Sequence, residues 1–550
     1  MSGDASAGPA LLDLLVVGAG FAGLYMLHKA RQQGLSALVV DAAPGVGGTW
    51  RHNRYPGARV DIQSLEYSYG FDEGLQQDWH WTERYAGQPE LLAYAEHVAE
   101  RFALRDGIRL RSRLRSAHFD EGSQRWLAEV QGDAEPAAVR AAASRIYSAQ
   151  FLVLATGPLS TPNRPPFEGL EKFAGQVLHT AAWPEQPIDL RGQRVGVVGT
   201  GSSGVQLVTA IAPQVASLTV FQRTAAYAVP AHNGPLDGAL EARVKADYAG
   251  FRQRNLRMRG GFGCDTMAPK PVSALSVDAV QREQVFEAGW RQGGFAFLGA
   301  FNDLLTSEAA NALAAEFVRG KIRQTVRDPA TAELLCPQQM IGCKRLCVDT
   351  GYYASFNQPH VQLVDVSRQP ITEVTPTGVR VGDQQHALDT LVLATGFDAM
   401  TGSLMRIDLR GRGGQTIQQK WAAGPLNYLG LAIAGFPNLF SIAGPGSTSA
   451  FTNGLRSIEH HVEWISDCLA HVRRSGQRCI EASLSAEAAW VARVNEAAQS
   501  TVYLGCNSWY LGANIAGKPR VFMPLAAGFP SYVKQCADVA QQGYTGFAVA

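Results

Sequence analysis

The stretch "LLVVGAGFAGLYMLHKARQQGLSALVVDA", residues 14–42, decides the fold. An apolar strand runs into Gly18, Gly20 and Gly23, a helix-period stretch continues to Gly34, and a second apolar strand ends at Asp41. Strand, glycine loop, helix, strand and terminal acid in this order form a βαβ dinucleotide-binding unit. The first glycine makes the tight turn, the second lets backbone approach a pyrophosphate, and the third lets helix pack on strand. A diphosphate then lies at the helix N-terminus, where unpaired N–H groups and the helix dipole favour an anion. Asp41 is placed to accept hydrogen bonds from a ribose diol.

The pattern recurs in "QRVGVVGTGSSGVQLVTAIAPQVASLTVFQRT", residues 193–224, with Gly199, Gly201 and Gly204 between an apolar strand and a helix. Here the second strand ends in Arg223 and Thr224 rather than an acid. An acid suits a free 2'-hydroxyl and an arginine suits a 2'-phosphate, so two dinucleotides are expected, the second being NADP. The other reading of Arg223 is a solvated charge at a strand end. A second repeat, "LVLATG", stands at 152–157 and again at 391–396. Small residues closing an apolar strand permit close approach of another backbone, and two copies flanking the second unit read as paired crossings between two domains.

Two dinucleotide units in one chain point to a flavin partnered by a nicotinamide, so the fold class expected is α/β, with two Rossmann-like dinucleotide-binding domains, for FAD and NADP, and a mainly helical insertion. The FAD domain is expected over 12–150 and 390–550, the NADP domain over 151–224 and 335–389, and the insertion over 225–334. Within the insertion, "SEAANALAAEFVRGKIRQTV" at 307–326 has helical periodicity. The opening "MSGDASAGPA" reads as a tail.

The 49 basic and 48 acidic residues leave a net charge of +1, which draws the chain toward neither nucleic acid nor an anionic membrane. The longest uncharged segment, Trp421 to Leu455, is broken by glycine and proline and is expected to form buried strands and turns, not a membrane span. The chain carries eight cysteines without a CxxC pair or a leading apolar segment, which predicts a reduced, cytoplasmic protein. Cys343 and Cys347 have no companion pair at zinc spacing, so no metal site is expected. No stable protein partner is evident.

Two dinucleotides in one chain suggest hydride passing from nicotinamide to flavin. A disulfide reductase needs a redox cysteine pair near the flavin, yet the first cysteine is Cys264. Further along stands "FAGQVLHTAAWP", residues 173–184, punctuated too heavily for a good helix or strand. It resembles the FxGxxxHxxxW(P/D) signature of the type I Baeyer–Villiger monooxygenases, matching at Phe173, Gly175, His179, Trp183 and Pro184. The resemblance extends through "GGTW" (47–50), "NRYPGARVDIQS" (53–64), "VFQRT" (220–224), "KR" (344–345), "LVLATGFDAMTG" (391–402), "GPGSTSA" (444–450) and "SWYLGAN" (508–514). It is strongest to the phenylacetone and steroid monooxygenase branch.

The resemblance implies NADPH- and O2-dependent oxygenation of a ketone to an ester or lactone through a C4a-peroxyflavin. A peroxide that attacks a carbonyl must stay anionic, and a guanidinium beside it is the fitting fixed cation. By resemblance that group is Arg345, which from its own surroundings in sequence reads as a surface charge beside Lys344. Asp61 resembles the family acid that pairs with this arginine. Lys344 resembles the residue that joins Arg223 and Thr224 on the 2'-phosphate, and Trp509 the tryptophan of a loop closing over the nicotinamide cofactor. Further cofactor contacts are expected from Thr49, Trp50 and Tyr67 on the flavin side and from Thr200, Ser202, Ser203 and Gln206 on the NADP side. His179 is read as an organiser of domain geometry, with no catalytic partner in view.

Two departures bear on the pocket. Relatives have an aromatic pair where this chain has Arg51 and His52, and an aliphatic residue and a methionine where it has Phe451 and Gly454, so a different substrate range is expected. The rivals are a flavin-containing monooxygenase acting on nitrogen or sulfur, a flavin-dependent NADPH oxidoreductase serving a protein partner, and a non-catalytic nucleotide sensor.

Overall fold

The computed structural model describes residues 9–132, 144–267 and 272–550. Its architecture is α/β, built around two sheets that each carry one glycine loop. In the first, Ala10–Val17 lies between Ala37–Val40 and Ser144–Leu154, parallel to both. Arg125–Gly132 and Ser112–Asp120 extend this sheet in antiparallel fashion, and Ile108–Arg109 and Asp408–Arg410 close its two edges. Leu439–Ser441 pairs with the last residues of Ser144–Leu154, so the late part of the chain completes the early sheet.

The second sheet runs in the order Val361–Asp365, Ser217–Gln222, Arg194–Val198, Thr390–Leu393, Gln176–His179, all parallel. Such a sheet must be covered on both faces, and its strands carry near-continuous apolar runs. Five helices, Gly238–Ala246, Tyr248–Leu256, Ala279–Gln292, Glu308–Thr325 and Pro329–Leu335, supply the helical part. Ser307 caps the longest of them by accepting from the Ala310 N–H, which explains why its periodicity starts there.

Both "LVLATG" segments end a strand against a glycine loop. Gly18 and Gly199 sit at φ +112° and +110°, and a Cβ on either would run into the carbonyl oxygen of Ala155 or Ala394 respectively. The small residues at each strand end thus admit the first glycine of the loop beside them, one copy per sheet.

Residues 173–184 depart from the irregular run expected of them. Gln176–His179 is an edge strand paired with Thr390–Leu393, followed by a 3-10 turn at Thr180–Ala182. An edge strand needs pairing on one side only, so four residues between breakers suffice. Trp421–Leu455 is largely buried turns around the single strand Leu439–Ser441. Among the described residues no helix is long and apolar enough to cross a membrane. Residues 1–8 of the expected tail lie outside the described residues, and Ala10 already belongs to the first strand.

Candidate active site

The two glycine loops open into one continuous cavity of about 1310 Å³, larger than the pocket of a single drug-sized ligand. The helices Phe21–Gln32 and Ser202–Ile211 point their N-termini into it. Their N-cap residues are Gly20 and Gly201, which have no side chain to satisfy the first N–H groups. Backbone donors are therefore left free at both places where a diphosphate was expected. The Asp41 carboxylate accepts from the Ala19 and Ala43 N–H groups at 2.6 and 2.7 Å, which fixes its orientation and leaves lone pairs for a diol.

Thr49 and Trp50 form the start of a short helix on the cavity wall, and the Trp50 indole N–H donates to the Tyr67 hydroxyl at 3.3 Å. In the second unit the Thr200 hydroxyl donates to the Thr224 carbonyl at 2.7 Å, closing the loop onto the strand end. Ser202 and Ser203 begin the helix. Gln206 lines the cavity, but its amide is held by Tyr55, which donates to it at 2.8 Å, and by the Arg59 carbonyl at 3.1 Å. It ties the second loop's helix to the "NRYPGAR" segment.

Arg223 and Lys344 line the cavity beside the second glycine loop, close enough for their charges to act on each other. Burial and the neighbouring guanidinium push the Lys344 ammonium below its ordinary value. Among the described residues neither makes an ion pair with an acid, so two cations converge on a place that an anionic group would neutralise.

Arg345 and Asp61, 284 residues apart, meet as a bidentate pair, Nε to Oδ2 at 2.6 Å and Nη2 to Oδ1 at 2.8 Å. Nη1 donates to the Ala450 carbonyl at 3.1 Å, and the guanidinium lies 5.0 Å from the centre of the Phe295 ring. Burial alone would lower the Arg345 pKa, but the charge and hydrogen bonds of Asp61 outweigh it and hold the value above the ordinary one. The two side chains keep 26% and 20% of their surface exposed, toward the cavity. A permanently charged, oriented donor is thereby presented where both nucleotide units meet.

Trp509 also lines the cavity, its ring 4.3 Å from that of Tyr510. Beside it, the buried Ser508 hydroxyl and Asn514 Oδ1 have no hydrogen-bond partner. Orphaned polar atoms on a cavity wall, free N–H groups at two helix starts and an unpaired cation pair fit FAD and NADP. Ser508, Asn514 and Ala450 lie in stretches that carry the resemblance but received no role from the sequence, and Phe295 escaped it. A backbone oxygen and an aromatic from the helical part give no local signal of their role.

His179 accepts from the Ala181 N–H through Nδ1 at 3.0 Å and reaches the Asn163 carbonyl through Nε2 at 3.1 Å. Thr395 donates to the same carbonyl at 2.6 Å. The imidazole thus joins the segments that carry Asn163 and Thr395. Arg51 turns from the cavity to Glu96 at 2.6 Å and Glu185 at 3.7 Å, while His52 stays on the wall. Phe451 stacks on Tyr503 at 4.3 Å, and a side chain at Gly454 would first meet the Tyr67 ring, at 3.8 Å.

The expectation of uniformly free thiols is corrected. Cys343 and Cys506 form a disulfide with Cα atoms 6.1 Å apart. Their separation of 163 residues hid the pair from a search for short spacings.

Residues 12–249 match the family described as pyridine nucleotide-disulphide oxidoreductase. The chain is 42% identical over 537 residues to a Baeyer-Villiger monooxygenase of Pseudooceanicola batsensis, covering 97% of this chain and 95% of that protein. It is 41% identical to phenazine N-monooxygenase PhzNO1 of Lysobacter antibioticus, covering 97% and 96%. The structure of an oxidised steroid monooxygenase bound to NADP matches with a TM-score of 0.91 at 47% identity, covering 98% and 99% of the two chains.

Proposed function

The chain belongs to the Baeyer–Villiger monooxygenase family, and from that premise we propose that it uses FAD, NADPH and O2 to insert one oxygen beside a ketone carbonyl, giving an ester or lactone. The observation that carries the reading is the Arg345–Asp61 pair opening onto a cavity walled by both glycine loops. Bound FAD, once reduced, supplies the activated oxygen. The chain's own residues supply position and charge. Arg345, a fixed fork of donors, holds negative charge on the oxygen being transferred and on the carbonyl oxygen as it becomes an oxyanion. Asp61 fixes the fork and is a positioning residue. Arg223, Thr224 and Lys344 take the 2'-phosphate and so select NADPH over NADH. Asp41, Thr49, Trp50 and Tyr67 hold the flavin nucleotide, and Trp509 closes over the nicotinamide side.

We assign the FAD unit to 12–150 with 390–550, the NADP unit to 151–224 with 335–389, and the helical insertion to 225–334. The small molecules engaged are a ketone and O2.

The phenazine relative favours a second reading, oxygen transfer to a ring nitrogen. One experiment separates the two. The purified yellow protein is given NADPH, O2 and, in separate arms, a bulky aryl or cyclic ketone and an aromatic N-heterocycle, and products are identified by mass spectrometry. An ester or lactone carrying one added oxygen supports the first reading. An N-oxide with the ketone untouched replaces it with the second, and NADPH oxidation yielding only hydrogen peroxide in both arms overturns both.

A further inference from the structure

Cys343 directly precedes Lys344 and Arg345 and is fully buried, whereas Cys506 is partly exposed and stands three residues before Trp509. The disulfide between them joins the cation-bearing segment to the loop expected to close the cavity. Among the described residues, the one side-chain hydrogen bond from outside to Leu504–Trp509 is from Arg520 to Asn507 at 2.6 Å. The other polar ties are short-range, the Ser508 carbonyl accepting from the Leu511 and Ala513 N–H groups and the Trp509 carbonyl from that of Gly512, while the Trp509 ring packs against Ala399, Met400 and Met523. The flanks are anchored differently: Val502 donates its N–H to the Leu305 carbonyl at 3.0 Å, and Tyr503 stacks on Phe451. Three residues of extended chain span at most about 10 Å, so a closed bridge keeps Trp509 within that reach of Cys506 and thus near Cys343. With the bridge open, the segment between Tyr503 and Tyr510 loses its covalent tether.

We propose that the Cys343–Cys506 bridge is a redox-governed clasp that holds the Trp509 loop over the nicotinamide side of the cavity. This rests on the reading of Trp509 given above. In the closing reaction, hydrogen peroxide oxidises the accessible Cys506 sulfur to a sulfenic acid and releases one water. The Cys343 sulfur then displaces the second oxygen as water, forming the S–S bond, so two thiols and one peroxide give one disulfide and two waters. Opening takes two electrons and two protons from a dithiol, whose thiolate attacks Cys506 and which leaves as its own disulfide. The other six cysteines do not compete. Burial raises the thiol pKa of each, to about 12 for Cys264, Cys347 and Cys536, and likewise upward for Cys336, Cys468 and Cys479, so the reactive thiolate is scarce at all of them. A loop that is already ordered when the cofactor arrives binds it at lower entropic cost.

The test uses the full-length FAD-loaded protein in three forms: peroxide-treated, dithiothreitol-treated, and Cys506→Ser. Cys506 is the position to change because its partner is buried and less tolerant. A non-reducing peptide map reads the 343–506 link, NADP+ titration of the flavin spectrum gives the dissociation constant, and hydrogen exchange reads residues 504–512. Reduction and C506S are expected to weaken NADP+ binding by about fivefold or more and to speed exchange in that loop, and dithiothreitol is expected to change nothing further in C506S. Free thiols at 343 and 506 after peroxide, or a reduced form binding NADP+ as tightly as the oxidised one, would overturn the clasp. Ketone turnover measured on the oxidised sample keeps the two readings apart. Its absence counts against the oxygenase, while binding and exchange still decide the clasp.

Discussion

A guanidinium held on two oxygens of one carboxylate has little freedom to be replaced. Arg345→Ala is expected to lower ester formation by about 100- to 1000-fold, read as product per flavin rather than NADPH consumption. Arg345→Lys keeps the charge but loses the planar fork, so it should recover only part of that. A second residue bears on stability. Glu66 is buried, accepts from the Gly263 N–H at 2.6 Å, and has its pKa raised by burial to about 7. A carboxyl with a raised folded-state pKa binds more protons folded than unfolded, so it costs stability as pH rises from its ordinary range through about 7. Glu66→Gln should therefore flatten the fall in melting temperature that runs from the ordinary value of 4.5 to about 7, checked by thermal unfolding across that pH window. Residues of this kind are where sequence reading is weakest. Arg345 and Asp61 were paired through the family resemblance, because nothing local to "GCKRLCV" or "GARVDIQ" points from one to the other. Glu66 gave no signal at all, since burial of an acid depends on the Gly263 loop packed against it.

At the scale of elements, the glycine loops were readable in advance because their requirement is local and steric: a strand end, a turn that excludes Cβ, and a helix start. The charge at the far strand end was equally readable. Under the proposed function that charge selects the cofactor, and Arg223→Ala is expected to raise the KM for NADPH by about 10- to 100-fold, the loss of one charge-assisted contact, while the KM for NADH stays nearly unchanged. Steady-state kinetics with both nucleotides checks this. Lys344 should behave likewise, and the double variant should lose the preference altogether. The strand Gln176–His179 was not readable, because its pairing partner Thr390–Leu393 lies far along the chain and four residues carry too little periodicity. The same limit applies to Leu439–Ser441, three buried residues within a run of turns.

For the molecule as a whole, the chain after each "LVLATG" strand meets at the Asn163 carbonyl, which both Thr395 and His179 reach. His179→Ala removes an acceptor for the Ala181 N–H and a donor to the Asn163 carbonyl. A loss of about 1–3 kcal/mol of unfolding free energy is expected from the Ala181 N–H left unpaired, the Asn163 carbonyl keeping its Thr395 donor, and is measured by denaturant titration. The amount of ester formed per NADPH oxidised is expected to fall with it. The overall plan was legible from the duplicated glycine loops and the duplicated "LVLATG", whereas the disulfide and the edge strand depend on contacts that only the folded chain brings together.

The pairing of Leu439–Ser441 with Ser144–Leu154 has a consequence for biogenesis. During translation the first sheet emerges lacking a neighbour for its central strand, which leaves the ribosome about 300 residues later, on the order of half a minute at typical synthesis rates. Over that interval the nascent flavin-side unit has an open flank. The stretch that follows this strand, with Ala443, Ser449 and Ala450, also completes the cavity wall, so chains released before it are expected to emerge colourless.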